Sequence, residues 1–349
     1  MNALRKLRRG PGQIELVALP RPVPQSGEVL VAVRYAGICG TDLHIRHDLY
    51  SNLQPPVTLG HEFSGVVAEV GAEICNWQTG DRVTVESAAV FCGHCDHCRR
   101  GDTQRCPQRK AFGISKDGAF ADYVVTREEA LHRLPDHVSF QEAAMTEPLA
   151  VAVHAVMERS CLCRGQVALV TGPGTIGQLV VQVARAAGAR VVLSGTTQDK
   201  DRLELAQRLG ADHIVFSDQQ DVCDAVDLIT GGRGADAAFE CAGITAAVRD
   251  CLASVCKGGE VVQVGLTGRR IELSYDDICL KEITLKGSFT HNHQTWAKAV
   301  ALLSESKVDL GPLISGEFPI EEWQQAFDLC EKGAGLKYLL YPDAKSMEE

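Results

Sequence analysis

A glycine-rich turn between a predicted strand and a predicted helix constrains the fold of this chain more than any other feature. The apolar run Val167–Thr171 predicts a buried strand, and a G-x-G-x-x-G pattern follows it directly and opens a helix. In that position the first glycine allows a tight turn, the second lets the backbone approach a pyrophosphate, and the third packs the helix closely on the strand. The turn therefore predicts a dinucleotide site at Gly172, Gly174, Thr175, Ile176 and Gly177.

The rhythm of apolar segments divides the chain into parts of different type. From about residue 164 to residue 287, short apolar runs alternate with helical patterns, which is typical of an α/β domain with a doubly wound parallel sheet. Before about residue 147, glycine and proline separate short strand-like runs such as Val29–Val33 and Phe63–Val70, so this part is predicted to be mostly β. The segment after residue 287 carries two helical patterns and is expected to return to the first domain.

Composition excludes several classes of protein. The 349 residues carry 35 Lys and Arg against 45 Asp and Glu, a net charge of -10, whereas a nucleic-acid-binding surface needs a basic excess. No apolar stretch reaches the roughly 18–20 residues of a membrane span, and the amino terminus lacks the pattern of a signal peptide. We expect a soluble, cytoplasmic protein that binds neither nucleic acid nor membrane. Its 14 cysteines should then be reduced thiols, metal ligands or catalytic groups.

Four of the cysteines lie close together with the spacing C-x2-C-x2-C-x7-C, namely Cys92, Cys95, Cys98 and Cys106. Four thiolates at such a spacing can bind one Zn²⁺ ion tetrahedrally in a closed structural site. An iron–sulfur cluster is an alternative because a proline follows the last cysteine, but the final gap is longer than in ferredoxin motifs and no second cysteine set is present. Unliganded thiols are the other alternative, since reduced cysteine is common as a single buried residue.

A second group of possible metal ligands lies in two glycine-flanked segments before this cysteine cluster. Cys39 stands in the segment Gly37–His44, and His61 and Glu62 stand in the segment Gly60–Gly65. A thiolate, an imidazole and a carboxylate from separate loops can form an open zinc site that leaves one position for water or substrate. Each of these residues taken alone is more often structural than metal-binding. The prediction therefore depends on all three together with the cysteine cluster.

Together these motifs resemble those of the zinc-containing medium-chain alcohol dehydrogenases. The resemblance covers nearly the whole chain and is greatest to sorbitol (L-iditol) and other polyol dehydrogenases, followed by L-threonine dehydrogenases. The motifs that carry it are Gly37–Asp42, Gly60–Glu62, Gly80–Val83, the four clustered cysteines, Glu147–Ala150 and Gly172–Gly177. The resemblance implies a GroES-like β catalytic domain at residues 1–150 and 289–349. It implies a Rossmann domain, with a doubly wound parallel sheet, at residues 151–288.

The resemblance also implies roles for residues around a catalytic zinc ion. Cys39, His61 and Glu62 would surround the ion. Glu147, which stands where alcohol dehydrogenases have a second thiolate, would bind the ion directly or through the metal-bound water. Thr41 would pass the substrate proton toward solvent, and His44 would continue that relay. The alternative for Thr41 is a cap on a helix that starts one residue later, and the alternative for His44 is a plain surface position.

The reaction implied by the resemblance is a reversible, zinc-dependent oxidation of a secondary alcohol in a polyol, a sugar acid or a related small molecule. Hydride would be transferred to NAD or NADP. A carboxylate ligand in place of a thiolate suits hydroxyl-rich substrates that chelate the metal. The alternatives are an L-threonine or other amino-alcohol dehydrogenase and, outside the enzymes, a dinucleotide-sensing relative. Two zinc ions per chain and a homodimer or homotetramer are expected.

The end of the second strand of the parallel sheet bears on the choice between NAD and NADP. An Asp or Glu at this point binds the ribose hydroxyls of NAD. This chain has no carboxylate there, and the residues at and after this point include Gly195, Thr196, Thr197, Lys200 and Arg202. Hydroxyl and cationic groups favour the 2′-phosphate of NADP, so NADP is expected by a small margin. The alternatives are that Asp199 or Asp201 folds back onto the ribose, and that Lys200 and Arg202 only form the solvated start of a helix.

Overall fold

The computed structural model describes residues 1–342 and divides them into two compact units. Unit 1 comprises Met1–Glu147, Asn292–Ser304 and the chain from Leu310 to residue 342, and unit 2 comprises Pro148–His291 and Glu305–Asp309. The predicted domains, 1–150 with 289–349 and 151–288, remain a prediction about folding units, and residues 343–349 lie outside the described residues. No helix among residues 1–342 is both long and apolar enough to cross a bilayer.

The strands are numbered in chain order: β1 (Asn2–Lys6), β2 (Ile14–Ala18), β3 (Glu28–Gly37), β4 (Val57–Thr58), β5 (Glu62–Val70), β6 (Arg82–Val85), β7 (Ala88–Val90), β8 (Lys110–Ala111), β9 (Tyr123–Arg127), β10 (Leu131–Arg133), β11 (Val167–Thr171), β12 (Arg190–Gly195), β13 (His213–Phe216), β14 (Ala235–Glu240), β15 (Val255–Gln263), β16 (Thr284–Gly287), β17 (Ile314–Pro319) and β18 (Lys337–Tyr341). The α-helices are α1 (Gly40–Arg46), α2 (Asp96–Arg99), α3 (Phe140–Ala144), α4 (Thr146–Val153), α5 (Thr175–Ala186), α6 (Lys200–Arg208), α7 (Val222–Thr230), α8 (Thr245–Ser254), α9 (Tyr275–Lys281), α10 (His293–Ser304) and α11 (Trp323–Glu331). The remaining described residues form turns, loops and short helical segments of other types.

Unit 1 is built mostly from β-strands, as its sequence predicts. Its larger sheet runs in the order β10-β6-β5-β3-β18-β17, and β9 also pairs with β3. A smaller sheet has the order β2-β1-β4, and β7 pairs with β8. Apolar side chains of these strands form one core together with Ile320, Phe327 and Leu340 from the C-terminal segment.

Unit 2 contains a six-stranded sheet in the order β13-β12-β11-β14-β15-β16, and all neighbouring strands in it are parallel. Counted from its own first strand, this is the order 3-2-1-4-5-6 of the doubly wound dinucleotide-binding fold. Every residue of β11 is buried, which explains why its sequence is a continuous apolar run. The prediction of a doubly wound parallel sheet is confirmed. Because β12 and β14 flank β11 on opposite sides, the glycine-rich turn after β11 lies at the switch point of the sheet, where ligands bind in this fold.

Candidate active site

Three predicted metal ligands of unit 1 come together where β3 ends and β5 begins. Glu62, the first residue of β5, lies opposite Gly37, the last residue of β3, and Cys39 follows as the N-cap of α1. The ligand atoms of Cys39, His61 and Glu62 all lie within 4.8 Å of one another. A Cβ at residue 37 would overlap the Glu62 carboxylate, so only glycine leaves room for this arrangement. A thiolate, an imidazole and a carboxylate this close form a donor set that fits Zn²⁺.

Asp42 joins the start of α1 to the histidine of this group. Its Oδ2 accepts the backbone N–H of Cys39 at 2.9 Å, and its Oδ1 lies 3.9 Å from Nδ1 of His61. Both side chains are buried, and among the described residues neither of these two facing atoms has a hydrogen-bond partner. A carboxylate that faces one ring nitrogen of a histidine leaves the opposite nitrogen, Nε2, for a metal ion.

The electrostatics of this pocket also favour a cation. Burial lowers the pKa of His61, but Asp42, Cys39 and Glu147 outweigh burial and raise that pKa to about 10. Negative groups that hold a proton on a buried imidazole would equally attract a divalent ion, and zinc binding would displace that proton.

Glu147 lies in the same unit as Cys39, His61 and Glu62. Among the described residues, it does not belong to the group whose ligand atoms lie within 4.8 Å of one another. It is the second residue of α4, it is buried, and its Oε1 accepts the Ser87 hydroxyl at 3.4 Å. The roles of Glu147 and of the other predicted ligands stay predictions.

The start of α1 decides one of the alternatives for Thr41. The N-cap is Cys39, and Asp42 at the third helical position closes a capping box with it. Thr41 is therefore inside the first turn, and its interpretation as the cap of a helix starting at Asp42 is wrong. Thr41 is half-buried, whereas His44 is exposed. The proton relay through these two residues stays a prediction.

The four clustered cysteines converge in unit 1, around the short helix α2. Their sulfur atoms all lie within 4.8 Å of one another, with Cys98 Sγ 3.5 Å from Cys95 Sγ and 3.9 Å from Cys92 Sγ. A tetrahedral ion with bonds of about 2.3 Å places its four sulfurs about 3.8 Å apart, so the cluster fits structural zinc. The backbone N–H groups of His94 and Cys95 lower the pKa of Cys92 to about 6, which favours the thiolate that the metal requires.

In unit 2, the glycine-rich turn has the geometry that its motif predicts. Gly172 has φ +91°, and a Cβ there would lie 2.7 Å from the Cβ of Ala242. Gly177 packs so closely that a Cβ on it would overlap the carbonyl oxygen of Gly172. Gly174 is the N-cap of α5, and a Cβ on it would meet nothing within 4 Å. Open space above the first N–H groups of a helix is what a pyrophosphate needs.

Carboxylates that β12 itself lacks lie in the loop after it and in the loop after β13. The backbone N–H and the hydroxyl of Thr196 donate to Asp199 at 3.1 and 2.8 Å. The corresponding groups of Thr197 donate to Asp218 at 2.9 and 2.5 Å. Both threonine hydroxyls are therefore already engaged with carboxylates. A Cβ on Gly195 would lie 2.9 Å from the ring of Pro173, so an aspartate cannot replace this glycine without moving the turn.

The two cations of the same loop differ in how they are held. Arg202 Nη1 lies 3.5 Å from Oδ1 of Asp199, and the Arg202 side chain is 28% exposed. Lys200 lies 3.7 Å from Glu204, and its side chain is 66% exposed. Of these two cations, Arg202 is therefore the less exposed, and it pairs with a carboxylate of the loop.

Comparison with known proteins agrees with this geometry. Two family models match: the alcohol dehydrogenase GroES-like domain at residues 25–136 and the zinc-binding dehydrogenase at residues 175–305. D-arabitol-phosphate dehydrogenase of Enterococcus avium is 39% identical over 341 residues, which is 97% of each chain. Sorbitol dehydrogenase of Halalkalibacterium halodurans is 39% identical over 343 residues, which is 98% of this chain and 99% of the relative. The chain belongs to the zinc-dependent medium-chain alcohol dehydrogenases.

A solved structure of this alcohol dehydrogenase family extends the agreement to three dimensions. The crystal structure of 2R,3R-butanediol dehydrogenase from Bacillus subtilis is 31% identical, has a TM-score of 0.89, and covers 98% of this chain and 99% of that one. Family membership confirms the GroES-like and Rossmann fold class, the oxidoreductase activity, and zinc with a nicotinamide dinucleotide as cofactors.

Lys337 belongs to the active site of this dehydrogenase although no motif indicates it. Its Nζ donates to Oε2 of Glu62 at 2.6 Å and to the carbonyl oxygen of Ile38 at 2.9 Å, and the Lys337 and Glu62 side chains are only 4% and 1% exposed. Burial lowers the pKa of Lys337, but Glu62 and Cys39 outweigh burial and raise it. The lysine therefore stays charged and pairs with the Glu62 carboxylate. Glu62 is 275 residues away along the chain, which is why sequence reasoning missed the pair.

Lys337→Met is expected to lower the free energy of unfolding of the zinc-depleted enzyme by about 3–5 kcal/mol, because Glu62 would stay buried without its cation. Urea denaturation measures this loss. Lys337→Arg keeps the charge and should lose much less, and added zinc should reduce the loss because the ion faces the same carboxylate. Equal stability of the methionine variant and the unmodified enzyme without zinc would contradict this assignment of the pair.

Proposed function

We propose that this dehydrogenase reversibly oxidises a secondary hydroxyl of a polyol, a polyol derivative or a sugar acid. The observation that carries the proposal is the donor set, in which the carboxylate of Glu62 lies beside Cys39 and His61 and makes the site harder than a second thiolate would. A harder, more exchangeable site suits a substrate that presents several adjacent hydroxyl oxygens. The names of the two curated relatives, an arabitol-phosphate and a sorbitol dehydrogenase, support the same class.

Different residues of the chain have different roles in this reaction. Zinc and the nicotinamide supply, when bound, the lowered pKa of the substrate hydroxyl and the acceptor for hydride. Cys39, His61 and Glu62 would hold the metal, with Asp42 facing Nδ1 of the imidazole. Lys337 donates a hydrogen bond to Glu62 and would hold that carboxylate in position. Thr41, in the first turn of α1, would receive the hydroxyl proton and pass it toward His44 at the surface.

A spectrophotometric screen tests the substrate class. Polyols, polyol phosphates, sugar acids and L-threonine are offered to the zinc-loaded enzyme with each nicotinamide cofactor. We expect a member of the first three groups to exceed L-threonine in kcat/KM by at least about 100-fold, which corresponds to roughly 3 kcal/mol of transition-state discrimination. A preference for L-threonine would instead establish the amino-alcohol alternative.

We further propose a modest preference for NADP over NAD. Gly195 offers no carboxylate to the ribose. Arg202, the third residue of α6, is the less exposed of the two cations. The preference stays modest because Asp199 already pairs with Arg202, and because the Thr196 and Thr197 hydroxyls donate to carboxylates.

Arg202→Ala is expected to lower kcat/KM with NADP roughly tenfold and to change it little with NAD, because a charge-assisted contact to the 2′-phosphate is lost. Arg208→Ala, at the far end of the same helix, is the matched control. Asp199→Asn distinguishes two possible roles of Asp199. If Asp199 only pairs with Arg202, the substitution should raise kcat/KM with NADP. If Asp199 binds the ribose, the substitution should lower kcat/KM with NAD. Efficiency with NAD at least equal to that with NADP in the unmodified enzyme would contradict the proposed preference.

We propose that two copies of the chain associate through the outer strand of the parallel sheet. β16 ends the sheet of unit 2, and its Leu285 and the following Phe289 are 46% and 55% exposed. An apolar edge strand is a template for pairing with another strand. Leu285→Lys should shift the mass measured by light scattering from a dimer or larger oligomer toward the monomer. Leu228→Lys, at an exposed leucine on α7, should not, and a monomeric unmodified enzyme would contradict the proposal.

We also place the enzyme in the cytoplasm. In residues 1–342 all 14 cysteines are free thiols, and Cys39 and the four clustered cysteines must stay reduced to bind zinc. A reducing compartment preserves those ligands. Cell fractionation with an activity assay checks the location.

A further inference from the structure

A third group of possible metal ligands lies in unit 1 and shares no residue with the active site or the cysteine cluster. It consists of Glu86, His132 and His293, whose ligand atoms lie within 4.8 Å of one another. We propose that these three residues bind a divalent transition-metal ion, with Zn²⁺ as the best-suited candidate. Imidazole and carboxylate together are the ligands that Zn²⁺ accepts in sites without sulfur.

Two imidazoles meet on one buried carboxylate oxygen in this group. Oε1 of Glu86 lies 2.9 Å from Nε2 of His132 and 2.6 Å from Nδ1 of His293. The Glu86 side chain is 2% exposed and that of His132 is 10% exposed, whereas that of His293 is 59% exposed and leaves a path from solvent. Tetrahedral bonds of about 2.1 Å place ligand atoms about 3.4 Å apart, so the donors need to separate by less than about 1 Å to admit the ion.

The three ligands are held by different elements of unit 1. Glu86 directly follows β6, and its backbone N–H donates to the carbonyl oxygen of Ala130 at 2.9 Å. His132 lies on β10, which pairs antiparallel with β6, and its ring stacks on Trp296 at a centroid distance of 5.9 Å. His293 is the first residue of α10. An ion bound here would join α10 to the two strands.

A small cavity beside the ligands supplies room for a further ligand. Its volume is about 130 Å³, and Glu86 and His293 line it together with Phe91, Thr103, Arg127 and Glu129. Water can occupy such a space and complete a four-coordinate shell around three protein ligands.

The charges around the group set a limit on its affinity. Nη2 of Arg127 lies 3.9 Å from the second oxygen of Glu86 and opposes a cation. Nη1 of the same arginine lies 3.7 Å from Glu129, which offsets part of that opposition. We therefore expect weaker binding here than at the four clustered thiolates, in the micromolar range rather than below it.

Zinc titration of the purified full-length enzyme tests the proposal. The zinc-saturated unmodified enzyme should contain one more zinc ion per chain than His293→Asn, and calorimetry should show a micromolar site that Glu86→Gln weakens at least about tenfold. Added zinc should also raise the melting temperature of the unmodified enzyme more than that of His293→Asn. His137→Asn, at an exposed histidine five residues beyond His132, is the matched control and should behave as unmodified enzyme.

The variants are expected to fold and to retain activity, so a failure here is separable from a failure of the proposed dehydrogenase reaction. Equal zinc content and equal affinity in the unmodified enzyme and in His293→Asn would overturn the site. A group of this kind without metal would be a hydrogen-bonded His–Glu–His cluster that only connects α10 to the strands. In that case the three residues would affect stability in a way that added zinc does not change.

Discussion

Cys39→Ser is expected to reduce turnover by at least about a thousandfold, while the fold and dinucleotide binding survive. Loss of the thiolate weakens the metal site that stabilises charge in the transition state, and several kcal/mol of such stabilisation correspond to this factor. Cys39 lies in unit 1 and the glycine-rich turn lies in unit 2, so the substitution leaves the predicted dinucleotide residues intact. Steady-state kinetics and fluorescence titration with the nicotinamide cofactor measure the two properties separately.

The control for this prediction is Cys75→Ser, which removes an exposed thiol from the same unit. That variant should keep both activity and zinc content. Residual activity of Cys39→Ser within tenfold of the unmodified enzyme at full zinc content would show that Cys39 is not a ligand of the catalytic ion.

Cys95→Ser is expected to act on stability rather than on chemistry. Cys95 is the N-cap of α2, and its sulfur lies 3.5 Å from that of Cys98. Structural zinc contributes folding free energy directly, about 10–16 kcal/mol in isolated zinc fingers, so a weakened site should unfold the segment around residues 92–106. We expect a melting temperature lowered by several degrees, zinc content reduced by one ion per chain, and activity per folded molecule largely retained below the transition.

Differential scanning calorimetry with elemental analysis checks this second prediction, and Cys163→Ser, an exposed thiol in unit 2, is its control. If Cys39→Ser and Cys95→Ser lost activity and thermal stability to the same extent, the division into one catalytic and one structural ion would be wrong. Iron at stoichiometric level in the purified enzyme would instead support a cluster of the ferredoxin type.

Features that depend on neighbours along the chain could be predicted from the sequence. The turn at Gly172–Gly177 is such a case, because a positive φ and close helix packing require glycine whatever surrounds them. The spacing of the clustered cysteines is another, since successive cysteines three, three and eight residues apart can reach one ion without help from the rest of the fold. The continuous apolar run of β11 likewise predicts a strand buried on both faces.

Contacts between distant segments could not be predicted in this way. The pair Lys337–Glu62 and the meeting of His132 with His293 arise from the pairing of strands and the return of the C-terminal segment. A lysine at the start of an apolar strand gives no sign of being buried, and its partner is set by sheet register, which a single sequence does not display. The sequence by itself therefore determined the fold class and the ligand types, because local spacing and periodicity limit them. Only the tertiary structure decided which charges are buried together, because that depends on which strands become neighbours.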